Sequence, residues 1–215
     1  YRYKKEDNEQ AIELFKKALE LDQNYALAYA GLADAYYQMA SRFAISETKI
    51  DQVIETAQRA VSLDPNLAEG YKALGTAYFS NGWIRKAIEC EEKAANLNPN
   101  SYLILARLGY TYSRAGEFDK TLLVEKKAMA LSPAMAYPYL IIGRCYFGLD
   151  EMTIAETWLK KSLALQPDLG NAHEYLSEFY LAQGDYQRAI AQSQKYLSFL
   201  PNSSYAFLYA GRTEL

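Results

Sequence analysis

The sequence is poor in the residues that build disulfide frameworks and metal sites. Its 215 residues include two cysteines, Cys90 and Cys145, and one histidine, His173. Two scattered cysteines exclude a disulfide scaffold, and with a single histidine they do not supply the usual ligand set of a zinc site. A Gly-rich phosphate loop is also lacking. We therefore expect no cofactor, no metal and no enzyme activity.

An excess of one charge and long apolar runs are lacking as well. The chain has 23 Lys and Arg against 26 Asp and Glu, which leaves no basic excess for nucleic acid. No stretch approaches the roughly 20 apolar residues of a membrane-spanning helix. We expect a cytoplasmic chain that binds neither nucleic acid nor membrane. Because it starts at Tyr1, we also expect a piece of a longer protein, and an upstream targeting signal stays open.

Proline is scarce, but most prolines are regularly spaced. Five of the six are 34 residues apart: Pro65, Pro99, Pro133, Pro167 and Pro201. Tyrosines keep the same step at Tyr78, Tyr112, Tyr146 and Tyr180. Glycines join them at Gly75, Gly109 and Gly143. Three residue types that share one period indicate a tandem array.

Each repeat is predicted to contain two helices, about twelve in the whole chain. In residues 67–80, apolar side chains three and four positions apart form a helical stripe, and Asn81-Gly82 ends it. A second stripe runs from about Ile84 to Pro99, where a proline cannot continue the helix. Small residues such as Gly75 would let the paired helices approach closely.

On these residues the chain resembles the tetratricopeptide repeat (TPR) family. One repeat matches at Tyr71, Leu74, Gly75, Tyr78, Ala87, Ala94 and Pro99. The resemblance implies an all-α, right-handed superhelical solenoid of tandem helix-turn-helix repeats. We divide this single array into a partial repeat 1–25, a long repeat 26–67, repeats 68–101, 102–135, 136–169 and 170–203, and a partial repeat 204–215. An insertion near 41–49 lengthens the second of these, and we expect it to extend its helix.

The resemblance also implies that the first helix of each repeat lines a concave wall. In repeat 136–169 this helix carries a second face of Tyr137, Leu140, Arg144 and Phe147 beside its packing stripe. A second apolar face indicates contact with something else, and Tyr and Arg are typical anchors of protein interfaces. The predicted partner-binding residues are Tyr37, Lys72, Phe79, Tyr110, Arg114, Tyr137, Leu140, Arg144, Phe147, Glu174, Glu178, Tyr205 and Arg212.

These residues predict a protein–protein interaction scaffold that binds a partner peptide or protein segment in a groove lined by Tyr and Arg. The competing interpretation is that the tyrosines only pack along the inner seam between repeats. A second hypothesis is the regulatory or sensor arm of a larger bacterial signalling enzyme or transcription regulator. It rests on residues 11–37, which loosely resemble TPR regions attached to bacterial nucleotide cyclases, kinases and winged-helix regulators. Self-association through open repeat ends is a third hypothesis.

Two glutamates depart from the repeat motif. Glu91 and Glu125 are 34 residues apart and stand where this motif places a large apolar residue such as Leu159. Paired carboxylates can perform acid–base catalysis, but no substrate pocket is indicated. We expect partial exposure, or a hydrogen bond to a nearby Tyr or Lys. His173 occupies the packing position of Tyr139, which predicts a structural histidine.

Overall fold

The computed structural model describes residues 5–43 and 50–199, and every regular element in these ranges is an α-helix. Eleven helices follow one another there. They are α1 (Lys5–Leu21), α2 (Ala26–Phe43), α3 (Ile50–Leu63), α4 (Ala68–Ser80), α5 (Ile84–Leu97), α6 (Tyr102–Ala115), α7 (Phe118–Leu131), α8 (Ala136–Gly148), α9 (Met152–Leu165), α10 (Gly170–Ala182) and α11 (Tyr186–Phe199). The twelfth predicted helix, in 204–215, lies outside the described residues.

The periodic residues fall at the helix boundaries. Four second helices each end two residues before a periodic proline, at Leu63, Leu97, Leu131 and Leu165. Because proline has no N–H and clashes with the preceding turn, it separates one repeat from the next. Among the described residues, four turns between the two helices of a repeat have a positive φ, at Gly82 (78°), Gly116 (79°), Asp150 (63°) and Gly184 (73°). The predicted helix-turn-helix repeats are thus confirmed.

The insertion near 41–49 begins inside a helix. The helix α2 has 18 residues, whereas the later first helices α4, α6, α8 and α10 have 13 or 14. The first residues of the insertion therefore continue α2, as expected. Residues 44–49 lie outside the described ranges.

The chain divides into two compact units, Tyr1–Thr111 (unit 1) and Tyr112–Leu215 (unit 2), and α6 contains the boundary. In unit 1, α2 packs against α1, α3 and α4, and α4 packs against α3 and α5. One cluster of the unit 1 core is made of small and branched residues: Ala33, Val53, Ile54, Ala57, Ala73, Leu74 and Ala77. Small side chains at these contacts let the helix axes approach each other closely.

Unit 2 has the same order of packing. The contacts join α7 with α8, α8 with α9, α9 with α10 and α10 with α11, and the first helices α8 and α10 also touch. Fully buried side chains of this unit include Leu140, Ile141, Ile142, Leu159 and Phe179. Each helix therefore contacts its neighbours in the sequence, as in a tandem repeat protein.

The contact between α8 and α9 depends on a glycine. A Cβ atom added to Gly143 would lie 2.9 Å from Leu159 Cδ2 and 3.0 Å from the Leu159 backbone nitrogen. Real Cβ atoms rarely come this close to a backbone atom, so the helices touch at this point only because the side chain is hydrogen. The close approach of paired helices predicted from the sequence is thus present at Gly143.

Candidate partner-binding wall

In unit 1 several predicted wall residues make contacts between successive first helices. Lys72 on α4 forms an ion pair with Asp34 on α2. The Phe79 ring on α4 lies 5.3 Å from the Tyr110 ring on α6, measured between centroids. Tyr37 is half-buried and packs against the core. The unit 1 wall, defined as Tyr37, Lys72, Phe79 and Tyr110, is therefore a set of half-buried side chains held by their neighbours.

Arg107 on α6 is a contributor that sequence reasoning missed. Its guanidinium lies 4.6 Å from the Phe79 ring centroid and 5.5 Å from that of Tyr110. The same group donates from Nε to Glu91 Oε1 over 2.9 Å. It therefore joins the buried carboxylate to the aromatic pair. A signal was present in the sequence, because an arginine stands where the repeat before has Ala73 and the repeat after has Ile141.

The unit 2 wall is made of Arg114, Tyr137, Arg144, Phe147, Glu174 and Glu178. Arg144 on α8 is held by two contacts: its Nη1 donates to Ser113 Oγ over 2.5 Å, and its guanidinium lies 5.4 Å from the Tyr175 ring centroid. The Phe147 ring lies 5.9 Å from that of the fully buried Phe179. Arg114 is exposed, and the other five wall residues are partly exposed.

Leu140 is the predicted wall residue that the structure places elsewhere. Its side chain is 0% exposed, so it belongs to the core of unit 2 and is not accessible to a partner. The spacing of residues gives the direction of a side chain around the helix axis, but not how deeply neighbouring helices cover it. Two other predicted wall residues, Tyr205 and Arg212, lie outside the described residues.

The acidic end of the unit 2 wall has perturbed protonation. Burial raises the pKa of Glu174 to about 7, and the like charge of Glu178 contributes to the rise. The guanidinium of Arg114, a hydrogen bond with Tyr196 and the guanidinium of Arg144 act in the opposite direction. Glu174 therefore titrates in the neutral pH range, well above an ordinary carboxyl group. The net charge of this end of the wall changes with small shifts of pH.

The two glutamates that depart from the motif are both buried, so the expectation of partial exposure is wrong. Glu91 and Glu125 are each 0% exposed. Burial raises the pKa of Glu91, and the Arg107 guanidinium partly offsets that rise. Burial raises the pKa of Glu125 well above its ordinary value, and neither of its carboxyl oxygens has a hydrogen-bond partner in the described structure. The expected hydrogen bond to Tyr or Lys is absent from both carboxylates as described.

His173 has the structural role expected of it. The ring is 4% exposed, its Nδ1 lies 2.7 Å from Gln192 Oε1, and its Nε2 lies 3.1 Å from the Pro167 carbonyl oxygen. One repeat earlier, the Tyr139 hydroxyl donates to the Pro133 carbonyl oxygen over 3.0 Å. The histidine thus makes the same contact to the inter-repeat proline as the tyrosine that it replaces.

Residues 5–43 and 50–199 contain neither a metal-ligand cluster nor a membrane-spanning helix. No group of three or more His, Cys, Asp or Glu side chains in these ranges is arranged to hold a metal ion. No helix of the described chain is both long and apolar enough to cross a membrane.

Comparison of the sequence with family models gives two matches of the same kind. A model described as "TPR repeat" matches residues 2–39, and a model described as "Tetratricopeptide repeat" matches residues 68–101 and 136–169. The search of curated proteins found no matching sequence.

Several solved structures have the same fold. A chain of the APC/C hetero-tetramer Cut9–Hcn1 superimposes with a TM-score of 0.74 at 23% identity, over 96% of this chain and 39% of that one. Human IFIT1, as a dimer with m7Gppp-AAAA, superimposes with a TM-score of 0.73 at 23% identity, over 88% of this chain and 46% of the IFIT1 chain. YrrB, described as a TPR protein with an unusual peptide-binding site, superimposes with a TM-score of 0.57 at 18% identity, over 94% of this chain and 99% of the YrrB chain. The chain therefore spans less than half the length of Cut9–Hcn1 and IFIT1 chains that it matches, and identities this low establish the fold alone.

Proposed function

Since the chain belongs to the tetratricopeptide-repeat family, we propose that it is a protein–protein interaction scaffold whose unit 2 wall binds a segment of a partner polypeptide. Proteins of this family generally act as scaffolds without enzyme activity, and we extend that to this chain. The proposal is supported by the matched structures, whose descriptions include a peptide-binding site for YrrB and an assembly with a second protein for Cut9.

The observation that carries the proposal is the arrangement of Tyr137, Arg144 and Phe147 on one face of α8. Their side chains stay partly exposed although neighbouring residues hold Arg144 and Phe147 in position. Side chains that are already fixed lose little conformational entropy when a partner binds, and Tyr and Arg are enriched among the residues that dominate interface energies. The arginines would bind carboxylates or carbonyl groups of the partner segment.

Nucleic acid is not part of the proposal. The net charge of −3 gives no general attraction for phosphates, although the IFIT1 structure contains m7Gppp-AAAA and the test therefore includes nuclease treatment. None of the reported similarities supports the regulatory-arm hypothesis. Self-association through repeat ends stays a separate prediction, which the dependence of molecular mass on concentration would test.

The test is an affinity pull-down from nuclease-treated extract of the source organism. The variant carries Tyr137→Ala, Arg144→Ala and Phe147→Ala. A matched control carries Tyr186→Ala, Lys127→Ala and Leu123→Ala, which removes one tyrosine, one cation and one apolar side chain from exposed positions of the same unit. Circular dichroism would establish that both variants keep their helix content.

We expect wild type and control to retain the same partner and the wall variant to lose it. The proposal is contradicted if the folded wall variant captures the same proteins as wild type. A parallel variant of the unit 1 wall, Tyr37→Ala with Phe79→Ala, asks separately whether that unit contributes to binding.

A further inference from the structure

Glu125, on α7 in unit 2, is a buried acid without the contacts that would stabilise its charge. Its side chain is 0% exposed, and both carboxyl oxygens lack a hydrogen-bond partner in the described structure. A buried carboxylate that is neither paired nor hydrogen-bonded is so unfavourable that the group takes up a proton instead. Burial therefore favours the protonated, neutral form of Glu125 over the carboxylate.

The repeat itself explains why Glu125 has no cation. In the preceding repeat, Glu91 accepts a hydrogen bond from Arg107, which lies 16 residues further along the chain. The residue 16 positions after Glu125 is Ile141, which is fully buried in the core of unit 2. The acidic position is thus present in both repeats. Arg107 supplies a cation to Glu91, whereas the equivalent position for Glu125 is occupied by the apolar Ile141.

The groups on the neighbouring helices of unit 2 do not replace that cation. On α8, burial raises the pKa of the Cys145 thiol to about 11; Arg144 and Thr121 lower that pKa, and the nearby acids Asp119 and Glu125 add to the rise. The Arg144 guanidinium is already engaged by Ser113 and Tyr175. On the unit 2 part of α6, the Tyr112 ring lies 5.1 Å from the Lys120 ammonium group of α7.

We propose that the protonation of Glu125 controls the packing of α7 against α8. The neutral side chain allows the two helices to pack, and its ionisation weakens that packing as the pH rises. The sign follows from proton linkage. The folded state binds a proton that the unfolded state has released, so stability is greatest below the ordinary carboxyl pKa and falls as the pH rises towards the folded pKa. Over that range one such group changes the unfolding equilibrium constant by about tenfold per pH unit.

The test compares urea unfolding of wild type and Glu125→Gln between pH 5 and pH 9. The amide has the shape of the neutral acid but does not ionise. We expect the unfolding equilibrium constant of wild type to rise relative to that of Glu125→Gln by up to about tenfold per pH unit. Other titrating groups, including Glu174 and Glu91, cancel in this comparison. A ratio that stays constant across the pH range would overturn the proposal.

Two further measurements locate the effect. Hydrogen exchange, corrected for the intrinsic pH dependence of the amides, should speed up in peptides of α7 and α8 of wild type at pH 8 and not in Glu125→Gln. Glu91→Gln is the matched control: the ratio of the unfolding equilibrium constants of wild type and Glu91→Gln should change less with pH, because Arg107 faces that carboxylate.

A second variant keeps the test decisive if Glu125→Gln does not fold. Ile141→Arg supplies at unit 2 the cation that Arg107 supplies to Glu91, so it should flatten the pH dependence of stability. The proposal is wrong if a folded Ile141→Arg protein keeps the steep pH dependence of stability of wild type. It is also wrong if hydrogen exchange accelerates elsewhere than in α7 and α8.

Discussion

The Glu91 carboxylate lies 2.9 Å from Arg107 Nε, and its side chain is 1% exposed. The Lys72–Asp34 pair is far more open, with side chains 22% and 36% exposed. Removing one partner of a buried pair leaves an uncompensated charge, whereas water solvates the remaining charge of an exposed pair. The two ion pairs of unit 1 should therefore differ in their contribution to stability.

The first prediction compares Arg107→Met with Lys72→Met. Arg107→Met should destabilise unit 1 by about 3 kcal/mol, because Glu91 loses its cation and Phe79 and Tyr110 lose a stacking partner. Lys72→Met should cost less than about 1 kcal/mol. Chemical denaturation at pH 7 measures both free energies of unfolding. Equal losses would show that burial does not distinguish the two pairs.

The second prediction concerns the protonation of Glu174, whose pKa is raised to about 7. Glu178→Gln removes the neighbouring like charge and should lower the pKa of Glu174. Tyr196→Phe removes a hydrogen bond that favours the carboxylate and should raise it. Carbon-detected NMR titration of the Glu174 carboxyl group reads both shifts. If the two variants shift the pKa in the same direction, the assigned causes are wrong.

At the scale of the helices and turns, the four repeat turns have the same backbone conformation but not the same residue. Three of them use Gly82, Gly116 and Gly184, and the fourth uses Asp150 at φ 63°. Side chains with a Cβ are strained in this region, although Asp tolerates it better than most residues. The turn between α8 and α9 is therefore the least well suited of the four to its conformation.

The third prediction is that Asp150→Gly stabilises the protein by about 0.5–1 kcal/mol. Relief of backbone strain outweighs the extra entropy that glycine adds to the unfolded chain. The matched control is Gly116→Ala, which places a Cβ in open space but at a positive φ and should destabilise. Thermal unfolding compares them. A destabilised Asp150→Gly variant would mean that the aspartate side chain stabilises its turn.

The helix ends and the turns are the parts of the structure that the sequence predicts well. Prolines that end helices and glycines that form turns act through local backbone geometry, so their spacing is enough to place the repeats. The burial of Leu140 and the stacking of Arg107 on Phe79 depend on the neighbouring helix, and helical spacing does not contain that information. The lack of a cationic partner for Glu125 could have been predicted from the sequence, because Ile141 occupies the position of Arg107 one repeat later.

For the molecule as a whole, the helices α1–α5 of unit 1 and α7–α11 of unit 2 each contact their neighbours in the sequence. Packing of this kind leaves one face of each first helix uncovered by its own repeat, and in unit 2 that face carries the partly exposed Tyr137, Arg144 and Phe147. We propose that the protein binds its partner at this uncovered face, and not in a cleft with catalytic groups.

The most direct measurement of this claim is site-specific photocrosslinking. A photoreactive phenylalanine analogue would replace Tyr137 on the wall or, as the control, Tyr186, which is 62% exposed on α11. We expect a covalent adduct with the partner from the Tyr137 position and none from the Tyr186 position. Adducts from Tyr186 alone, or equally from both, would contradict binding at the unit 2 wall.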